Sequence, residues 1–392
     1  MCRGGILYII CARRGRDVQG ARVYSVEGFV QLRPMLLVSH RWMALLSGAV
    51  LLVLSVTGCL LVFQRTLNRA VNPATSYVTP GSTRLPVETL LQRAVAAHPG
   101  ERVTLVLMPA RDTFALEAYL GNGLSVFVDP YTGTVLGARG SASSLMGRVL
   151  YIHTSLLAGE TGSLIVGTAT GLALLLAISG LVLWWPGRVY RIGRSRTLRR
   201  TTFDLHHAIG FWSSALIFVI ALTGVSMSLE AYVNPFVRRL NAYPAFDPAP
   251  LRSTPVAGRT RVSVDQLLQT ANETLPGAFA ALINLPVSPT APCFVRLKFP
   301  GDRSPSGRSR VFFDQFSGRV LGVDDARAAP LGTKILNLKR SLHTGDLLGP
   351  PTSTLYFLGS LALAAQVISG FLMWRTPRRK RQPNRQQESS CV

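Results

Sequence analysis

Residues 40–58 read "HRWMALLSGAVLLVLSVTG", and residues 206–224 read "HHAIGFWSSALIFVIALTG". The two stretches align without a gap: each opens on histidine, runs through apolar residues and closes on Thr-Gly. About 20 apolar residues are what an α-helix needs to cross a bilayer, because in hydrocarbon every backbone N–H and C=O must be paired inside the segment. Four runs meet that requirement: Trp42–Phe63, Leu164–Trp185, Phe211–Leu229 and Thr354–Trp374.

The likeness continues along the chain, and internal repeats decide a fold before anything else does. "LPVETLLQRAVAAHPG" (85–100) matches "VSVDQLLQTANETLPG" (262–277), and "VFVDPYTGTVLG" (126–137) matches "VFFDQFSGRVLG" (311–322). "IHTSLLAG" (152–159) with "ISGLVLW" (178–184) matches "LHTGDLLG" (342–349) with "ISGFLMW" (368–374). The offset grows from 166 to 190, so the second copy has the longer loops. Each copy reads span, outer domain, span. Both start on the same side, which makes them parallel repeats about an axis along the membrane normal. Each outer domain is of α+β type, one amphipathic helix followed by short alternating strands. In "DPYTG" and "DQFSG", Asp129 and Asp314 read as caps of their own hairpin turns rather than as catalytic carboxylates.

The chain has 392 residues, is 48% hydrophobic and carries a formal charge of +23. Such a charge would fit a nucleic-acid partner, but its location argues against one. Residues 1–41, 186–205 and 375–392 together hold +15 of it, and each flanks an apolar run. Basic clusters beside spans mark the cytoplasmic side, so both termini are expected there.

The chain thus divides into an N-terminal extension (1–34), a first span (35–65), an outer domain (66–150) and a second span with an outer histidine (151–186). A basic inner loop (187–205), a third span (206–230), a second outer domain (231–340), a fourth span with its outer histidine (341–375) and a basic tail (376–392) complete it. "MLLVSHRW" from Met35 has the look of a natural start, and no secretory signal is recognised upstream of it. The five cysteines form neither a disulfide framework nor a CxxC metal motif.

Of the six histidines, His98 ends a helix in an outer domain, and the other five sit at span ends. The repeat pairs His40 with His206 at the inner surface, and His153 with His343 at the outer. His207 aligns with Arg41 and is the odd one. A single histidine at a span edge is an ordinary interfacial residue; four in two symmetric pairs are not. Opposed imidazoles at one depth in a helix bundle suit six-coordinate haem iron, whereas a zinc site wants three or four ligands. Two haems are therefore expected, one per level. Gly58 and Gly224 fall at the outer level, and Gly180 and Gly370 at the inner, where a flat ring needs close backbone approach. The histidines' depth implies either that they sit at the membrane rim or that the helices break near Gly159 and Gly349. Arg41 stands ready for propionates at the inner ring, and Arg148, Lys339 and Arg340 at the outer. Trp184, Trp185 and Trp374 read as an interfacial belt.

These motifs, "HRW…TG", "DLHHAIGFW…LTG", "HTG" and the two "VFxDxx[ST]GxVLG" segments, resemble the PepSY-associated transmembrane family from Met35 to Trp374. The nearest likeness is to FoxB-type inner-membrane ferrisiderophore reductases. The resemblance implies reduction of a ferric siderophore, a hydroxamate such as ferrioxamine, on the periplasmic side, so that Fe(II) is released. Electrons would come from a donor not named by the sequence, a quinol or a cytoplasmic reductase. A membrane-anchored peptidase regulator or sensor is the competing expectation, because PepSY modules are associated with peptidase inhibition. A coupled transporter is disfavoured, since Gln366 is the main central polar residue and the spans lack acids.

Overall fold

The computed structural model describes residues 26–376, apart from 141, 186, 192, 194–196 and 259. Most of the expected extension 1–34, and all of the basic tail beyond residue 376, lie outside the described residues.

Helices α1 (Val26–Val62), α2 (Gln64–Val71), α3 (Pro73–Ser76) and α4 (Val87–Ala96) lead into strands β1 (Val103–Leu107), β2 (Leu116–Leu120), β3 (Leu124–Val128) and β4 (Val135–Gly140). Helices α5 (Leu145–Ser155), α6 (Gly159–Trp184), α7 (Leu198–Ser228), α8 (Glu230–Arg238) and α9 (Val264–Thr274) follow. The chain ends with β5 (Phe279–Asn284), β6 (Cys293–Lys298), β7 (Ser309–Phe313), β8 (Val320–Asp324), α10 (Leu331–Thr344) and α11 (Pro350–Arg375).

Four helices are long and apolar enough to cross a bilayer, at Leu32–Val62, Gly159–Trp184, Leu198–Ser228 and Pro350–Arg375, and the chain is a multi-pass membrane protein. Their neighbours define a closed ring, with α1 against α6, α6 against α7, α7 against α11 and α11 back against α1. Both long excursions, from α1 to α6 and from α7 to α11, leave from the same end of the bundle. That end carries the sheet; the other is the far end.

Each of the two expected outer domains contributes four strands and one helix that covers them, but they do not form two sheets. All eight strands join in one antiparallel sheet of order β4-β3-β2-β1-β5-β6-β7-β8. The join is β1 against β5, with Leu105 opposite Asn284 and Val106 opposite Ile283. Separate sheets would have left both of those edges with unpaired N–H and C=O groups, a liability that pairing removes. Helices α4 and α9 cover one face through Leu90, Leu91, Leu267 and Ala271, over a core that includes Val106, Ile283 and Phe313. Each helix also caps the other. The Asp265 carboxylate accepts the Val87 and Glu88 N–H groups at 2.8 and 2.9 Å, and the Glu88 carboxylate accepts the Val264 N–H at 2.9 Å. Asp129 and Asp314 do cap their turns, accepting from Tyr131 N–H and from Phe316 and Ser317 N–H respectively.

The spans beyond the sheet do break. Between α5 and α6 the backbone turns left-handed at Leu156, Leu157 and Gly159, and between α10 and α11 at Gly345 and Gly349. A leucine in that region carries strain of about 1–2 kcal/mol, which the packed break must over-determine. The expected second span 151–186 is therefore two elements. Helices α5 and α10 are short pieces packed against α1 and α7, and each carries one outer histidine near its end.

Candidate functional site

Every one of the four paired histidines is held in the same way by a neighbouring helix. His40 Nδ1 lies 2.8 Å from Ser179 Oγ on α6, and His206 Nδ1 lies 3.0 Å from Ser369 Oγ on α11. His153 Nδ1 lies 2.8 Å from Thr57 Oγ1 on α1, and His343 Nδ1 lies 3.1 Å from Thr223 Oγ1 on α7. Four cross-helix contacts of one kind place two histidines at the sheet end and two at the far end.

These contacts determine which ring nitrogen is free. A hydroxyl has one proton, and each of these sends it to its own helix, one turn back. Ser179 and Ser369 donate to the carbonyls of Leu175 and Ala365, and Thr57 and Thr223 to those of Val53 and Val219, at 2.6–2.7 Å. The oxygen is left to accept, so Nδ1 carries the proton and Nε2 is a bare lone pair. His343 supports this independently, because its Nδ1 also faces the Ile220 carbonyl at 3.1 Å, and a carbonyl only accepts. Fixing the tautomer through the distal ring nitrogen is how proteins prepare an imidazole to bind metal.

The glycines stand against the histidines themselves. A Cβ at Gly224, Gly180, Gly370 or Gly58 would lie 3.2, 3.3, 3.4 or 3.6 Å from Cε1 of His343, His40, His206 or His153. What these glycines make room for in the structure is the imidazole. The hydroxyl partner is the residue immediately before each glycine. Its role is missing from a reading of the sequence as small residues, and the Ser/Thr-Gly dipeptide repeated opposite each histidine was the available signal.

His153 and His343 come together with ring centres 6.3 Å apart and planes tilted by 58°. An imidazole nitrogen binds its metal at about 2.0–2.1 Å and lies about 1.1 Å from its ring centre, so two rings across one ion have centres about 6–6.5 Å apart. The observed spacing fits an ion between them. Among the described residues no group of three or more His, Cys, Asp or Glu side chains comes together. A bare ion would thus find two protein ligands per level, whereas a haem brings four of its own.

His206 rather than His207 takes the anchored place. His207 packs on the Phe203 ring at 4.1 Å, and its buried Nδ1 has no hydrogen-bond partner among the described residues. Gln366 donates to the His206 carbonyl at 2.9 Å, which gives the central polar residue of the spans a local role.

Of the cations expected near propionates, Arg41, Arg148 and Arg340 are exposed and free of ion pairs among the described residues. Lys339 is not available, because it bonds Glu230 at 2.6 Å and Asn234 at 3.2 Å. Trp184 is also corrected: it is 4% exposed and stacks on Phe211 at 4.1 Å, whereas Trp185 and Trp374 remain exposed.

None of the curated proteins compared matches the chain. The model of a family described as the PepSY-associated TM region matches residues 38–376, which takes in three spans whole and the first from residue 38, the sheet and every anchored histidine. The chain belongs to the PepSY-associated transmembrane family.

Proposed function

We propose that this protein is a di-haem b-type electron-transfer protein of the bacterial inner membrane. It reduces a ferric siderophore, a hydroxamate such as ferrioxamine, on the periplasmic side and releases Fe(II) for uptake. The observation that carries the reading is the fourfold anchor, in which each histidine has its Nδ1 tied to a Ser or Thr hydroxyl and its Nε2 free.

His153 and His343 would hold one ring, and His40 and His206 the other. Haem iron with two histidine ligands supplies one-electron transfer and leaves no coordination site open for oxygen chemistry. The chain's own residues do the rest. The hydroxyls orient the imidazoles, the glycines let the helices close on them, and the apolar spans exclude water from both levels. The donor is a quinol or a cytoplasmic reductase, and each ferric ion takes up one electron and leaves its chelate as Fe(II). The basic segments that flank the far end support its placement in the cytoplasm, with both termini there. The matched segments support two PepSY-like modules and a parallel repeat, with the modules merged through β1 and β5.

The test is the absorption spectrum of detergent-solubilised protein. The expected result is a Soret band that halves in His153→Ala with His343→Ala and vanishes when His40 and His206 are also replaced. Protein with no Soret band returns the chain to the reading of a membrane-anchored peptidase regulator. Haem that is present but, once reduced by dithionite, leaves every ferric siderophore unreduced would sink the reductase assignment alone.

A further inference from the structure

The face of the sheet not covered by α4 and α9 carries polar and aromatic side chains, and one patch of it is charged without compensation. Arg296 on β6 stands directly opposite Arg310 on β7. Like charges so placed repel. Arg310 is answered by Asp324, whose carboxylate accepts from Nη2 at 2.7 Å and from Nε at 3.1 Å. Arg296 and Arg308 are not answered. Neither forms an ion pair among the described residues, and the Nε of each is buried without a hydrogen-bond partner.

Four guanidinium groups share this patch. Burial first, then the charges of Arg308, Arg310 and Arg340, hold Arg296 below its ordinary value. Burial and then Arg340 do the same to Arg308. The acid in range of Arg308 is Asp346, which forms no ion pair among the described residues. Arg308 is also firmly placed. Gly307 before it is left-handed, and a Cβ there would run into the Leu297 carbonyl, so only glycine permits this approach of the loop to β6. The register positions that correspond to Arg296 and Arg310 in the first half are Tyr119 and Ser125, which pair across β2 and β3, with a single arginine, Arg139 of β4, opposite Ser125.

Arg340 links the patch to the histidines. It precedes His343 by three residues on α10, a spacing that puts two side chains on one helix face about 5–6 Å apart at Cβ. A guanidinium half withdrawn from water without a partner, as Arg296 and Arg308 are, is costly, and its planar fork matches a carboxylate with two parallel hydrogen bonds. We propose that Arg296, Arg308 and Arg340 form a carboxylate-binding site at the sheet end of the bundle, beside His343. Two sources supply that chemistry: the propionate arms of the outer haem, in which case the proposal rests on the haem reading, or the carboxylates of an incoming ferric chelate. In the second case the substrate class extends from neutral hydroxamates to anionic, citrate-like chelates.

The experiment uses the full chain in detergent at low ionic strength. It compares the unmodified protein with Arg308→Gln, Arg296→Gln and Arg308→Lys, and with Arg319→Gln on the exposed β7–β8 turn as control. Citrate binding is followed by calorimetry, and haem loss by transfer to apomyoglobin. If the site takes an incoming carboxylate, the unmodified protein binds citrate and the Gln variants bind it at least tenfold more weakly with haem retained. If it takes propionates, the Gln variants lose haem at least tenfold faster and citrate does not bind. Arg308→Lys, which keeps the charge but not the fork, falls between, and it carries the comparison if Arg308→Gln does not fold. The proposal is overturned when neither readout separates these variants from Arg319→Gln. Protein without a Soret band fails the haem reading only; citrate binding then decides the site, and its absence overturns it.

Discussion

Removing the hydroxyl partner of a histidine tests the anchor directly, because the four anchors are not equally backed. His40 Nδ1 has Ser179 as its one hydrogen-bond partner among the described residues. His343 Nδ1 has both Thr223 and the Ile220 carbonyl, each at 3.1 Å. Ser179→Ala therefore leaves a half-buried N–H with nothing to bond, whereas Thr223→Val, nearly isosteric, leaves the carbonyl in place. An orphaned donor costs about 1–3 kcal/mol, against about 0.5–1.5 kcal/mol for one ordinary hydrogen bond exchanged. On the proposed di-haem reading, and at 1.4 kcal/mol per tenfold, the first change weakens haem retention at the far end roughly ten- to hundredfold, which is the range known for partners of metal-bound histidine. The second weakens retention at the sheet end about tenfold or less. Haem transfer to apomyoglobin and a potentiometric titration, which separates the two haems, measure both effects, and Ser179→Thr should restore the first. If Thr223→Val loses haem as readily as Ser179→Ala, or if neither changes retention or potential, the tautomer argument is wrong.

Three other outcomes follow from the same geometry. Gly224→Ala should disturb the sheet-end site more than Gly58→Ala, because its Cβ meets Thr170 Cγ2 at 3.0 Å and His343 Cε1 at 3.2 Å, while the Cβ at Gly58 meets the Ser360 hydroxyl at 3.3 Å and His153 at an ordinary 3.6 Å; haem content of the two variants checks the order. His207→Ala should keep the far-end haem spectrum and His206→Ala should lose it, since only His206 is anchored on Ser369; the Soret intensity of each variant decides. Burial raises the pKa of Asp314, but the N–H groups of Ser317, Thr254 and Phe316 outweigh it and hold the carboxyl below its ordinary value. Its contribution is therefore complete above the unfolded pKa of about 3.9 and is lost as pH falls through the lower folded value. Thermal unfolding between pH 3 and 6 should show Asp314→Asn less stable than the unmodified protein above pH 4, with the gap closing in acid.

The spans, their number and the pairing of the histidines were legible in the chain because each rests on short-range properties. Apolar length alone makes a span, and a match such as "HTS" with "HTG" needs no geometry to be seen. The α4 and α9 helices and the turns at Asp129 and Asp314 were legible for the same reason, as periodicity and turn chemistry are local. The single sheet was not. Either half could have stood alone by pattern, and only the approach of β1 to β5 removes the two open edges.

The chain by itself determined that four apolar helices cross a membrane with histidines at both ends of the bundle, since hydrocarbon permits nothing else for such runs. Tertiary structure decided which nitrogen of each histidine is free, because that depends on a hydroxyl from a different helix arriving within 3.1 Å. It likewise set His206 apart from its neighbour, committed Lys339 to Glu230 and set Arg296 of β6 opposite Arg310 of β7. Spacing along a chain specifies faces of one element, while the register between elements is set only when they pack.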